Sequence, residues 1–201
     1  MNERIAIYGG SFSPPHIGHY RALEGLIRQE RPDRTLVIPA LVPPHKQLKG
    51  NASPAQRMEM CRIAFGDLLV TVSDMELNRG GTSYTVLTLR ELKSEDNTLL
   101  LLCGTDMFLT LDTWYCPEEI FALAEIVYMR REEDVGVSEE LQKKAEEYRK
   151  KFAATVHELV FKPLEISSTE LRNMISNGED TTNYLHPAVR EYIEQCQLYR
   201  I

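Results

Sequence analysis

The sequence predicts an α/β fold: a doubly wound parallel sheet with a small helical part at the C-terminal end. Three observations carry this. Short apolar runs alternate with longer amphipathic stretches, as expected when parallel strands are joined by helices that cover both faces of a sheet. The chain has 201 residues, 43% of them hydrophobic, enough for one sizeable core. A Gly/Pro-rich loop directly follows the first apolar run, at the carboxyl end of a strand, where folds of this class bind ligands.

The elements follow in order. Arg4–Tyr8 reads as a buried strand and Gly9–Pro15 as the loop after it. Ile17–Gln29 has helical spacing, with Ile17, Leu23, Leu26 and Ile27 as apolar contacts. Thr35–Ile38 is a second strand, followed by a long loop from Pro39 to Ala52. Ser53, Pro54 and Gln56 open the next helix, as a cap, a first-turn proline and the partner of a capping box. Leu69–Val72 is a strand, Tyr84–Leu92 a helix, and Thr98–Cys103 the most apolar strand. Pro117–Leu123 is a short helix and Ile126–Met129 a strand. Ser138–Phe152 is a helix whose interleaved charges read as a solvated face. Val156–Phe161 is the last strand, and Ser168–Ile175 and Pro187–Gln195 are closing helices. Residues 1–201 are expected to form a single unit, with about 165–201 as its helical C-terminal part and 131–155 as its most variable stretch.

The formal net charge is -7, so no general attraction to nucleic acid or to an anionic membrane is expected. A phosphate-bearing ligand would have to be held by local positive features. No apolar run approaches the roughly 20 residues of a membrane span, and the start of the chain lacks the apolar core of a signal peptide. A cytoplasmic location is the expectation. Cys61, Cys103, Cys116 and Cys196 are widely spaced, without a C-x-x-C pair, and read as reduced thiols.

The informative loop runs Gly9-Gly10-Ser11-Phe12-Ser13-Pro14-Pro15-His16-Ile17-Gly18-His19. Glycines after a strand let a ligand approach the backbone. The helix start that follows offers unpaired N–H groups and the positive end of a dipole, and together these make an anion site. His16 and His19 are three apart and share one helical face. The loop lacks the Gly-Lys-Ser/Thr ending of a P-loop and the G-x-G-x-x-G of a dinucleotide fingerprint. A zinc site has no third ligand nearby, and no metal ligand among the side chains is expected. A second helix start, Ile166-Ser167-Ser168-Thr169-Glu170-Leu171-Arg172, carries a capping box from Ser167 to Glu170. Its hydroxyls and Arg172 would also suit a polyphosphate.

Both segments resemble the signatures of the nucleotidylyltransferase superfamily, H-x-G-H and I-S-S-T-x-x-R. The resemblance implies a Rossmann-like fold and ATP binding at Gly9, Gly10, Ser11, Phe12, His16, His19, Gly104, Asp106, Ile166, Ser167, Ser168, Thr169 and Arg172. His16, His19, Lys46 and Arg172 are implied as catalytic. The proline pair before His16 is similar to the nicotinate/nicotinamide mononucleotide branch, although Ser13 stands where that branch usually carries Asp.

Three further strings match the same branch. Pro43-Pro44-His45-Lys46 supplies a cation in a rigid loop. Glu76-Leu77-Asn78-Arg79-Gly80-Gly81-Thr82-Ser83-Tyr84-Thr85 resembles its E-x-x-R-x-G-x-S-Y-T segment. Gly104 to Trp114 resembles its G-x-D-x-x-x-x-L-x-x-W segment, with Asp112 where a proline is often seen. By resemblance the acceptor, nicotinate mononucleotide, would meet Lys46, Ser83, Tyr84, Thr85, Asp106, Trp114 and Tyr115. Trp114, the only tryptophan, would stack on the pyridine ring. Tyr184 to Val189 with the tail to Tyr199 also fits the branch.

The reaction implied is transfer of the adenylyl group of ATP to nicotinate mononucleotide, with Mg²⁺ carried on the ATP phosphates. ATP and the mononucleotide are the partners, with room for a homo-oligomer and with neither nucleic acid nor membrane. Nicotinamide mononucleotide is the alternative acceptor. Phosphopantetheine is disfavoured because its branch carries threonine in place of His16. A nucleotide sensor without catalysis is the alternative of a different class.

Overall fold

The computed structural model describes residues 2–44, 50–131, 135–161 and 166–200; of residues 130, 131, 135–137, 160 and 161 only the backbone is described. Six parallel strands form one sheet. They are β1 (Glu3–Gly10), β2 (Arg34–Pro39), β3 (Thr71–Val72), β4 (Asn97–Cys103), β5 (Ala124–Arg131) and β6 (Val156–Phe161). Their spatial order is β3-β2-β1-β4-β5-β6. The order reverses between β1 and β4, and such a switch point opens a crevice at the carboxyl ends of the strands.

Alternate strand residues face opposite cores, the signature of a sheet buried on both sides. Ile5, Ile7, Leu36, Ile38, Leu99, Leu101, Ile126 and Tyr128 face one core. It is completed by α4 (Thr85–Leu92), α5 (Thr105–Leu109), α6 (Pro117–Leu123) and α7 (Val135–Phe152). Ala6, Tyr8, Val37, Leu100, Leu102 and Val127 face the other. That side is covered by α1 (Ile17–Glu30), α2 (Pro54–Ala64), α8 (Ser168–Asn177) and α9 (Pro187–Gln195). The expected doubly wound parallel sheet is therefore present. The C-terminal helices pack into it through Leu171, Val189 and Ile193.

The differences from expectation are local. A five-residue helix, α3 (Met75–Arg79), precedes α4, and α5 with a 3₁₀ turn at Leu111–Thr113 follows β4. Such short pieces carry too few turns to show a helical period. The third strand shrinks to Thr71–Val72 because Leu69 points outward, 92% exposed, at the sheet edge.

Caps explain where the long helices start. Ser53 Oγ accepts from the Gln56 amide and Gln56 Oε1 from the Ser53 amide, the reciprocal box the sequence predicts. Ser167 and Glu170 form the same box on α8. One helix residue departs from its surroundings. Arg57 occupies the apolar stripe of α2 with Met60, Cys61 and Ala64 and is fully buried. Its guanidinium donates to the carbonyls of Ser11 (2.7 Å) and Ala40 (2.6 Å), tying the loops after β1 and β2 to one helix.

Arg57→Met should therefore destabilise the chain by about 3 kcal/mol, since two buried carbonyls lose charge-assisted partners. In a melting experiment this is a fall in Tm of about 10 °C. An unchanged Tm would show that the loops do not depend on this clamp.

Candidate active site

The loops after β1 and β4, the described part of the loop after β2 and the start of α8 meet around the β1–β4 crevice at the carboxyl ends of the strands. In the first loop, a Cβ added to Gly9 would meet nothing within 4 Å, so a ligand can approach the backbone there. Phe12 is held at φ +44°. Its ring is buried and packs edge-on against Tyr8, His19 and Phe65. The ring thus belongs to the core, and what Phe12 offers the crevice is backbone.

His16 caps α1. Its amide donates to His19 Nδ1 at 3.2 Å, which places the proton of a neutral His19 ring on Nε2. The two rings lie 3.7 Å apart, centroid to centroid. Burial pushes the His16 pKa down to about 4, with the Glu170 carboxylate pulling weakly the other way. His16 Nδ1 and Ser11 Oγ are buried without hydrogen-bond partners among the described residues. Buried polar atoms are rarely left so, and both are in the loop the sequence singles out.

The second motif is in direct contact with the first. Ser168 Oγ donates to the Pro14 carbonyl at 2.9 Å across 154 residues of chain. Arg172 donates to the Ser13 carbonyl (2.8 Å) and to Thr169 Oγ1 (2.9 Å). The N-termini of α1 and α8 therefore converge, and their dipoles add at one place. Each hydroxyl of the Ser167-Ser168-Thr169 run already has a partner: Glu170, Pro14 and Arg172 respectively. Ile166 packs below, against the core on that side.

Beside this anion site is a mostly apolar cavity of about 200 Å³. Gly9, Gly10 and Ser11 form one wall, and Ile7, Ile38, Leu89, Leu101, Met107 and Trp114 are among the apolar lining. A cavity of about 150 Å³ takes up benzene, so this one has room for a six-membered ring with a small substituent. Its polar groups are Glu76, Ser83, Thr85 and Thr88. Ser83 Oγ accepts from the amides of Leu41 (2.8 Å) and Val42 (3.4 Å). Thr88 Oγ1 donates to Glu76 at 2.6 Å, and Arg79 donates to Thr88. The Tyr84 and Tyr115 rings pack 4.7 Å apart, with Tyr115 half exposed, and neither residue lines the cavity. Gly104 caps α5 and Asp106 is exposed in its first turn. Lys46 lies outside the described residues.

Of the predicted site residues, Gly9, Gly10, Ser11, Ser83, Thr85 and Trp114 line this one cavity. His16, Ser168 and Arg172 come together at the first loop behind it. Sequence reasoning missed Glu76 and Thr88 as cavity residues, although Thr88 is one turn after Thr85 on the same helix. It also missed Arg57, whose place on an apolar stripe was the available signal. Tyr199 was missed as a contact: its hydroxyl lies 3.1 Å from Ser13 Oγ, and its amide donates to Asn51. A side chain on Gly50 (φ +99°) would strike the Tyr199 ring at 2.8 Å. Among the described residues no group of three or more His, Cys, Asp or Glu is placed to hold a metal, and no helix is long and apolar enough to cross a membrane.

Known proteins are similar to this chain in sequence and fold. The cytidylyltransferase-like family model matches residues 7–174. The chain is 39% identical to a Marinobacter nauticus protein named probable nicotinate-nucleotide adenylyltransferase, over 90% of this chain and 89% of that one. It is 36% identical to one of the same name from Citrifermentans bemidjiense, covering 98% of each. The fold is also that of the Plasmodium falciparum nicotinic acid mononucleotide adenylyltransferase solved with NaAD, with a TM-score of 0.77 at 22% identity over 98% of this chain and 97% of that one. With its two converging helix-start motifs and its ring-sized cavity at the switch point, the chain belongs to the cytidylyltransferase-like family, among the nicotinate-nucleotide adenylyltransferases.

Proposed function

We propose that the chain transfers the adenylyl group of ATP to nicotinate mononucleotide, releasing pyrophosphate and forming the acid dinucleotide in the synthesis of NAD. The observation that carries this reading is the adjacency of two subsites. The anion site of the α1 and α8 N-termini suits a triphosphate, and the apolar cavity suits a pyridine ring. Gly9–Ser11 lies between them, where the acceptor phosphate would meet the α-phosphorus.

The acceptor phosphate is already a nucleophile and needs no base. One of its oxygens bonds to the α-phosphorus as the bond from that phosphorus to the bridging oxygen breaks, and the electron pair leaves with pyrophosphate. Catalysis is then alignment and charge stabilisation. His19 donates from Nε2 to the phosphate oxygens. His16, neutral at pH 7, contributes an oriented N–H in place of a charge. Arg172 anchors the loop through Ser13 and turns its remaining N–H groups to the β- and γ-phosphates. Lys46 neutralises charge on the acceptor side, a role that rests on resemblance. Magnesium takes oxygen ligands and keeps most of its waters, so it would be held by the phosphates themselves and would neutralise their charge.

The acid is favoured over the amide by the resemblance to the branch and by the names of the relatives. Ser83 Oγ already accepts two amide protons, so toward the cavity it can only donate. An oxygen of the acceptor's carboxylate can accept from such a group. The Glu76 carboxylate on the same wall is engaged by Thr88 and has Arg79 3.7 Å away. The location that accompanies this reading is the cytoplasm.

Three outcomes are expected. Pyrophosphate release with nicotinate mononucleotide should exceed that with nicotinamide mononucleotide in kcat/KM; equal efficiency would refute the acid preference, and no release with either would refute the enzyme. His19→Ala should lower kcat on the order of 10²-fold or more, with little change in KM. The third concerns pH. The folded pKa of His16 lies below its unfolded value near 6.5, so the unfolded chain binds the extra proton first. Stability contributed by neutral His16 is complete above about pH 6.5 and is lost as pH falls toward about 4. His16→Gln should flatten urea-unfolding free energy across that window, and an unchanged slope would contradict the buried neutral imidazole.

A further inference from the structure

The charged helix α7 has no part in the reading so far, and Asp112 departs from the family pattern beside Trp114. The structure joins the two. Lys144 of α7 places Nζ 3.0 Å from Asp112 Oδ2. Tyr148, one turn on and fully buried, puts its hydroxyl 3.1 Å from Asp112 Oδ1 and 2.7 Å from the Phe108 carbonyl. Its single proton is shared between these acceptors, and the Asp112 amide reaches back to the same oxygen at 3.4 Å. The Lys144 ammonium also lies 5.2 Å from the Tyr148 ring centre.

Asp112 is the middle residue of the 3₁₀ turn Leu111–Thr113, and the Trp114 amide closes that turn by donating to Leu111 O at 3.2 Å. Phe108 belongs to α5, whose Met107 lines the same cavity as Trp114. One hydroxyl and one ammonium on α7 thus hold both pieces of backbone that present the apolar wall of the cavity.

We propose that Asp112, Lys144 and Tyr148 are positioning residues for the acceptor ring: they fix the turn that aims Trp114 into the cavity, so α7 works as the back of the acceptor subsite. This rests on the pyridine mononucleotide reading above. A proline at 112 would stiffen the turn through its own ring. Here an ion pair and a phenol hydrogen bond do so from a neighbouring helix. The effect is confined to one substrate, because the ATP-side groups hang on Arg57, Arg172 and Ser168 instead.

The test uses Lys144→Met and Lys144→Arg in the full chain. Lys144 is partly exposed, so its loss leaves the core intact. Lys144→Met should raise the KM for nicotinate mononucleotide about five- to tenfold, the scale of one partly screened ion pair with its hydrogen bond, and leave the KM for ATP within about twofold. Lys144→Arg, which keeps the charge and a donor, should stay near wild type. Trp114 supplies a second readout as the only tryptophan: its fluorescence should quench on adding the mononucleotide alone, with a midpoint shifted to higher concentration in Lys144→Met. An unchanged acceptor KM and midpoint, or a parallel rise in both KM values, overturns the proposal. A wild-type protein that releases no pyrophosphate would sink the adenylyl-transfer reading instead, and the fluorescence midpoints would still decide the role of α7.

Discussion

The loop that leaves β1 gives up its carbonyl oxygens to three side chains from two helices: Ser11 to Arg57 of α2, Ser13 to Arg172 of α8, and Pro14 to Ser168 at the start of α8. These bonds determine what the loop can face. A peptide carbonyl is a partial negative charge, and three of them turned toward a triphosphate would repel it. Engaged by cationic or hydroxyl donors, they no longer stand as free acceptors. Phe12 fixes the loop between them by burying its ring at the expense of a left-handed backbone. Everything else in the site is arranged around this loop, including the helix that His16 caps, the cavity wall at Gly9 and the approach of α8.

The protein carries a net charge of -7, so the attraction for phosphate that the proposed site requires has to be local. Two converging helix N-termini provide part of it. His16 adds a hydrogen bond without a full charge, because burial keeps it neutral at ordinary pH. Neutral donors suit a site that must release pyrophosphate as well as bind ATP: stabilisation that is strongest as charge shifts in the transition state accelerates the reaction, whereas uniformly strong binding does not. Arg172 gives one donor group to Ser13 and another to Thr169. It is therefore already oriented when a ligand arrives, and little side-chain freedom remains to be lost.

Much of this was legible in the sequence. The strand–helix alternation predicted the doubly wound sheet, and the capping boxes at Ser53 and Ser167 marked helix starts that the structure places within a residue. Motifs work for such features because they record local requirements: a cap, a glycine near a ligand, a run of hydroxyls. Arg57, Tyr199 and Asp112 were not legible, for a shared reason. Each acts across a long stretch of chain, on Ser11, Ser13 and Lys144 respectively, and no local spacing encodes such a partner. Short elements failed differently: α3, α5 and the Leu111–Thr113 turn are set by tertiary contacts rather than by a period of their own.

The cavity shows how a small number of polar atoms can orient a ring substituent. Its walls are mostly apolar, so they hold any pyridine by contact and stacking and distinguish little. Orientation falls to the few hydroxyls, and each is constrained by what it already touches. Ser83 has its lone pairs occupied by Leu41 and Val42 amides, which leaves it a donor. Thr88 gives its proton to Glu76 and accepts from Arg79, which leaves it little to offer. The Thr85 hydroxyl is the adaptable one, since it can donate or accept. A group forced to donate and a group free to do either together complement two carboxylate oxygens. A carboxamide meets the same two hydroxyls, Ser83 donating to its oxygen and Thr85 accepting from its NH₂, so these groups orient the ring substituent and the choice of acid over amide rests on the family resemblance.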